Sequence, residues 1–267
     1  MSTLGSMSPR MRVTPPLAWA TLFAAIAQAL APVVAGLSGG ASPDESTTDL
    51  YITPAGYAFS IWGVIYTLSI ATTAGVVWKR ATGTDRPDHL LTDLLITFLG
   101  ASAWIAGSAA EIPWITPIIL TIMTIALLDA VRLTASSYDE STPGWLTGLT
   151  RTIVGLYAAW ASAAVFQNWA SDIGASFGDP TVLWWQLAIL ILGALFGIAV
   201  TARYGGALPL YPIGLVWALI GILVTGWGEQ TAVVVVCVIA VAGVAVAWWI
   251  ARQRGPRRNR ALGDQAL

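Results

Sequence analysis

The sequence predicts an all-α fold, a polytopic membrane helical bundle with eight transmembrane helices, and three observations lead there. First, 56% of the 267 residues are hydrophobic and only 10% are charged, with a mean hydropathy of +0.71. A water-soluble domain would carry roughly a quarter charged residues, so there is too little polar surface to cover a globule in water. Second, eight apolar runs each reach the roughly 20 residues that span a bilayer core. Third, no segment alternates over the roughly ten residues of a membrane-barrel strand. In lipid every backbone donor and acceptor needs a partner within its own segment, which leaves helices.

The runs fall at 16–37, 57–78, 90–110, 114–135, 149–170, 182–202, 208–227 and 231–251. Charge placement tests that count. Arg10 and Arg12 precede the first run, and Lys79, Arg80 and Arg86 lie between the second and third. Arg132 and Arg151 flank the fourth connection, Arg203 the sixth, and Arg252, Arg254, Arg257, Arg258 and Arg260 follow the last. All 13 cations fall on one side of an eight-span chain. The other side carries Asp44, Glu45, Asp49, Glu111, Asp172, Asp179 and Glu229. A wrong number of helices would scatter the cations over both sides. By the positive-inside rule both termini are expected in the cytoplasm. A cleaved signal peptide over residues 1–36 is the competing reading of the first run. Its apolar stretch of about 21 residues exceeds the usual 7–15, which favours a retained helix.

Four segments follow: a cytoplasmic N-terminal tail at 1–15, five membrane helices over 16–171, three more over 172–252, and a basic cytoplasmic tail at 253–267. The connection 171–181, SDIGASFGDPT, is a candidate boundary between two bundles. The longest connection, 38–56, is acidic and rich in Ser, Thr and Gly; it reads equally as a solvated linker or a lid over the outer mouth. Gly193 and Gly197 stand at GxxxG spacing in the sixth run, where close packing inside the chain is the plainer explanation.

Several function classes are excluded or weakened. A net charge of −1 implies no nucleic-acid partner. The single Cys237 makes no intrachain disulfide, and His89 has no second His or Cys near it in sequence, which argues against a metal site. The C-terminal arginines suit anionic lipid headgroups but are explained by orientation alone. No membrane segment holds paired carboxylates, a Gly-rich phosphate loop or a Ser/His/Asp set, so no enzyme is expected. Asp129 and Arg132, at i and i+3, read as a local ion pair near the cytoplasmic boundary.

The 14 tryptophans carry more information. Trp78, Trp145, Trp227, Trp248 and Trp249 sit at interfacial positions. Trp62, Trp104 and Trp160 lie inside their helices. In the second run Phe59, Trp62 and Tyr66 form one stripe, at i, i+3 and i+7. In the fifth, Tyr157, Trp160, Ala164 and Asn168 form another. Phe59, Trp62, Trp104, Gln167 and Asn168 share the outer half of the bilayer. Aromatic faces beside small residues and amides suit a pocket for a flat, largely apolar molecule with a polar edge. The same stripes read alternatively as interhelical packing, with Asn168 bonded to a neighbouring helix.

Thr53-Pro54-Ala55-Gly56-Tyr57-Ala58-Phe59 and Ile61-Trp62-Gly63-Val64-Ile65-Tyr66 resemble the two halves of the helix 2 signature of the tryptophan-rich sensory protein (TspO, translocator protein) family. One residue is missing between the halves, where only Ser60 stands. Tyr157, Trp160 and Asn168 reproduce the family's helix 5 spacing. Trp104 matches its helix 3 tryptophan, with Ala101 where an Asn would be. The likeness covers about residues 16–171; the last three helices resemble the C-terminal extension of longer bacterial relatives. It implies a five-helix TspO-like core plus three helices in the bacterial cytoplasmic (inner) membrane. It further implies a pocket for porphyrin, haem or a sterol-like lipid, used in sensing or transport. Phe59, Trp62, Tyr66, Trp104, Trp160 and Asn168 would line the pocket, with Tyr57 at its mouth and Tyr157 on the same stripe. No obligatory cofactor is expected; porphyrin or haem enters as ligand. Membrane lipids are expected partners, and a homodimer is carried by the resemblance alone. A secondary transporter of a small solute and a non-catalytic partner subunit are the alternative functions.

Overall fold

The computed structural model describes residues 12–38, 50–136 and 139–263. Eight helices follow in order among them: α1 (Pro15–Leu37), α2 (Ile61–Lys79), α3 (Pro87–Ala109), α4 (Ile115–Ser136), α5 (Gly144–Ser176), α6 (Leu183–Tyr204), α7 (Leu210–Gly226) and α8 (Thr231–Gly263). Seven are long and apolar enough to cross a membrane. The eighth, α7, has 17 residues and spans about 25 Å at 1.5 Å per residue. No strand occurs among the described residues. The all-helical class expected from composition is therefore the fold. The suggested lid over 38–56 falls mostly on residues outside the described ones, as do the first eleven residues of the N-terminal tail.

Local chemistry sets the helix ends. Prolines open α1 and α3 at positions where the missing N–H is not needed. Pro143 precedes the first residue of α5. The first turns of α1 and α3 meet at the basic end of the bundle. There the Asp88 carboxylate accepts the Thr14 N–H at 2.8 Å and also its hydroxyl. A carboxylate beside the start of α1 complements its helix dipole.

α5 is the axle of the bundle. It packs against α2, α4, α6 and α7, while α1 and α3 lean on the first four helices and α8 closes over α6 and α7. Small residues permit these approaches. A Cβ on Gly214 of α7 would stand 2.9 Å from the Ala159 Cβ of α5. Gly193 meets Phe166 of α5 and Gly197 meets Leu215 of α7, so the GxxxG spacing serves packing inside the chain.

Two helices differ from expectation. α5 runs from 144 to 176 rather than 149 to 170. The polar Ser171 and Asp172 imitate a loop in the sequence, yet the helix continues through a buried Gly174 and ends before Gly178 and Pro180. Asp172 instead accepts the Trp114 N–H at 3.0 Å. The second span does not begin as an α-helix at 57: Gly56–Ser60 is a 3-10 turn, and α2 starts at Ile61.

The stretch 50–60 is irregular chain packed inside a helical bundle, and each exposed backbone group there needs a partner. Later helices supply them. Gln186 of α6 accepts the Tyr51 N–H at 2.9 Å, while its amide nitrogen donates to Pro180 and Val182 carbonyls. Gln167 of α5 donates to the Ile52 carbonyl. The Gly221 carbonyl of α7 accepts the Ala55 N–H at 3.0 Å, and the Trp217 indole donates to the Ala58 carbonyl at 2.9 Å. Leu50 and Ile52 are buried among the helices as apolar anchors.

Gly221 tolerates no side chain, because a Cβ there would lie 2.8 Å from the Ala58 Cβ and 3.2 Å from that of Pro54. Gly221→Val is expected to lower stability in detergent by about 1–3 kcal/mol, read by thermal unfolding. Gly63 has nothing within 4 Å, so Gly63→Ala is expected to leave the midpoint unchanged or raise it slightly.

Candidate functional site

At the end of the bundle whose connections carry no Lys or Arg, a cavity of about 370 Å³ opens between the 53–62 segment, α3, α4 and α5. Small-molecule sites run roughly 300–1,000 Å³. Its inner wall is aromatic: Phe59, Trp62, Trp104 and Trp160. Its outer part is polar, with Ser108 and Glu111 from the α3–α4 side and Gln167, Asn168, Ser171 and Asp172 from α5. Ala163, Ala164 and Ala218 leave the space that larger side chains would fill.

Trp62 is the hub of the aromatic wall. Its ring centroid lies 5.5 Å from Trp104, 5.4 Å from Tyr66, 5.8 Å from Tyr157 and 6.1 Å from Trp160. Phe59 meets Trp160 edge-on at 5.7 Å. Such offset and edge-to-face pairs each add about 0.5–1.5 kcal/mol beyond area burial, and they fix ring planes. Asn168 is held on both sides: its Oδ1 accepts the Trp104 indole N–H at 3.0 Å and its Nδ2 donates to the Ala164 carbonyl at 2.9 Å. One amide hydrogen is left over. The indole N–H groups of Trp62 and Trp160 are buried without a protein acceptor and are packed away from the cavity surface, so these rings offer it their apolar parts.

The structure brings Phe59, Trp62, Trp104, Trp160 and Asn168 to one cavity. Tyr57, Tyr66 and Tyr157 do not reach its wall. The 3-10 turn carries Tyr57 out against Trp217 of α7, with centroids 5.6 Å apart. Tyr66 backs Trp62 from a turn deeper. Tyr157 is fully buried and donates its hydroxyl to Gln28 Oε1 of α1 at 2.9 Å. Sequence reasoning missed Glu111, Ser171 and Asp172 as lining. Asp172 continues the Trp160–Ala164–Asn168 stripe one turn on, a signal hidden by ending the helix at 170.

The connection that forms the rim is tightly wound. Glu111 and Trp114 both have positive φ, 52° and 63°, which costs a non-glycine residue about 1–3 kcal/mol. The bond from Trp114 N–H to Asp172 and ring contacts of Trp114 with Trp169 and Phe177 hold it there.

A family model described as TSPO-like protein matches residues 16–250. The chain belongs to the TSPO-like family. As a TSPO-like protein with this helical bundle it is a multi-pass membrane protein. The match continues past residue 171, where the likeness read from motifs ends, and takes in α6, α7 and nearly all of the apolar part of α8. Searches of curated proteins and of solved structures return no match.

A second group of polar side chains lies at the opposite, basic end. His89 Nε2 stands 2.8 Å from Asp129 Oδ2, and Arg132 reaches Asp129 Oδ1 at 2.6–2.7 Å. Asp129 is thus shared between two helices and is not confined to a local pair with Arg132. Asp93, one turn above His89, is 6% exposed and its Oδ2 has no hydrogen bond. Ligand-type atoms of His89, Asp93 and Asp129 all lie within 4.8 Å of one another. Asp129 comes from α4, so spacing along the chain does not reveal this trio. Arg132 already supplies positive charge beside it.

The Trp104–Asn168 bond ties α3 to α5 across the cavity. A double-mutant cycle of Trp104→Phe with Asn168→Ala is expected to give a coupling of about 0.5–1.5 kcal/mol, measured by unfolding in detergent.

Proposed function

We propose that this TSPO-like protein binds a flat hydrophobic ligand, of the porphyrin, haem or sterol-like class, in the cavity between the 53–62 segment, α3 and α5, and acts in sensing or transport without catalysing a reaction. The observation that carries the reading is the cavity itself. Four aromatic side chains and four alanines meet around about 370 Å³ of space, where simple interhelical packing would close the gap. Planar ligands stack on such walls and gain from excluded water. The second amide hydrogen of Asn168 suits a ligand with an acceptor on its edge.

Placement in the membrane follows from charge. With Lys and Arg gathered at one end, the positive-inside rule puts both termini in the cytoplasm and the cavity in the outer half of the bilayer; the bacterial inner membrane is the location the family likeness implies. The absence of deep carboxylates around the cavity favours binding over ion-coupled transport, since Glu111 and Asp172 stand at the rim and not at mid-depth.

Titration of the purified protein with protoporphyrin or haem is expected to quench tryptophan fluorescence saturably. Trp62→Ala combined with Asn168→Ala should weaken that binding about tenfold or more, given the stacking and hydrogen-bond contributions lost. Quenching with unchanged affinity in the double variant would remove the cavity from consideration.

A further inference from the structure

We propose that the basic end of the bundle holds a binding site for a divalent transition-metal ion, Zn²⁺ foremost, with His89, Asp93 and Asp129 as its ligands. The site lies at the end opposite the aromatic cavity and stands independently of it. His89 and Asp93, at i and i+4, share one face of α3, and Asp129 reaches them from α4. One imidazole nitrogen and one oxygen from each carboxylate lie within 4.8 Å of one another.

The observation that points to an ion is Asp93. It sits about 9 Å in from the first residue of α3, is 6% exposed, and its Oδ2 has no hydrogen-bond partner. A buried carboxylate oxygen without a donor is costly in any protein, and more so at the edge of a membrane. The groups around it are engaged elsewhere. Thr97, one turn on, donates its hydroxyl to the Asp93 backbone carbonyl and not to the carboxylate. Arg132 binds Asp129 Oδ1, and His89 Nε2 faces Asp129 Oδ2 at 2.8 Å. A proton on that nitrogen joins two atoms. A cation in its place joins three, and gives Asp93 the partner it lacks.

Charge and donor type set the class of ion. Two carboxylates against the single guanidinium of Arg132 leave a net negative charge beside a neutral imidazole. One nitrogen and two oxygens suit Zn²⁺ or a neighbour in its row, whereas Mg²⁺ and Ca²⁺ take oxygen alone. Bonds of about 2.0–2.2 Å put tetrahedral ligand atoms roughly 3.3–3.6 Å apart, so the trio draws in by on the order of 1 Å. The side chains of His89 and Asp129, 44% and 29% accessible, supply that movement and leave a fourth position to water. Arg132 stays on the other oxygen of Asp129, where it orients the ligand as outer partners of metal ligands do. Bound there, the ion clamps α3 to α4 at the basic end of the bundle.

The test uses full-length protein purified without a polyhistidine tag, stripped with a chelator and held in detergent at neutral pH. Zn²⁺ binding is read by calorimetry, and Co²⁺ binding by the visible absorption of an ion in four- or five-coordinate geometry. A single ion per chain is expected, with a thermal midpoint that rises with Zn²⁺ concentration. Asp93→Asn and His89→Ala should each weaken binding about a hundredfold or more, because even outer partners of metal ligands cost about 10–100-fold. Asp85→Asn, which removes an exposed carboxylate from the connection before α3, should leave the affinity unchanged. Without metal, Asp93→Asn is expected to unfold at the parent's temperature or higher, since it removes an unpaired buried charge; a carboxylate needed by the fold alone would give a drop. Should Asp93→Asn fail to fold, His89→Ala carries the test, because its side chain is exposed. No saturable binding, several weak ions in place of one, or equal affinity in either ligand variant would overturn the site.

Discussion

Irregular backbone inside a membrane bundle is the constraint on which the rest of this structure depends. Residues 50–60 leave helical geometry just where the chain returns into the bundle, and lipid offers no water to take their peptide groups. Gln186, Gln167, Gly221 and Trp217, from three different helices, supply the missing partners. An unpartnered buried peptide group costs about 1–3 kcal/mol on mutational scales, so several together would be comparable to the whole stability of a domain. Those helices are therefore needed by the segment, whatever else they do.

The cavity is a consequence of that anchoring. A continuous α-helix from 57 would turn Phe59 and Trp62 differently about the axis; the 3-10 turn sets both toward α5 and sends Tyr57 toward α7. Trp62 then stacks among Trp104, Tyr66, Tyr157 and Trp160, and the alanines of α5 leave a gap in front of it. Behind the wall, Tyr157 packs edge-on against Trp62 and is bonded to Gln28. That bond locks the ring from the side away from the cavity. A binding surface made of aromatic planes requires such backing, because a ring free to rotate fills its own pocket.

Much of this was legible in the amino-acid sequence, for physical reasons. Spans and their number follow from the length of apolar runs and the sorting of Lys and Arg, both direct effects of the bilayer. The stripe of α5 follows from helical periodicity, which is why Trp160, Ala164 and Asn168 face one cavity. What periodicity does not carry is a local departure from it. The 3-10 turn that displaces Tyr57 depends on α7 at a separation of about 160 residues in the Trp217 to Ala58 bond. Asp172 looked like loop because polarity signals solvent, whereas here it closes a neighbouring turn. The trio His89, Asp93 and Asp129 needs two helices placed side by side before it exists.

The division of labour among the last three helices follows from the same contacts. α7 touches the 3-10 turn directly and lends Ala218 to the cavity. α6 acts through a single side chain, since Gln186 reaches Tyr51 with one end of its amide and fastens the 180–182 turn with the other. α8 packs on α6 and α7 and contributes no described residue to the cavity lining. Its part is to keep α6 and α7 in register. A membrane helix has no hydrophobic drive toward its neighbours, so that register rests on close fit, as where Gly243 meets Ile198 and Gly206 meets the Ala251 carbonyl. The cavity is thus supported in two layers: one that satisfies the irregular segment, and one that holds the first layer still.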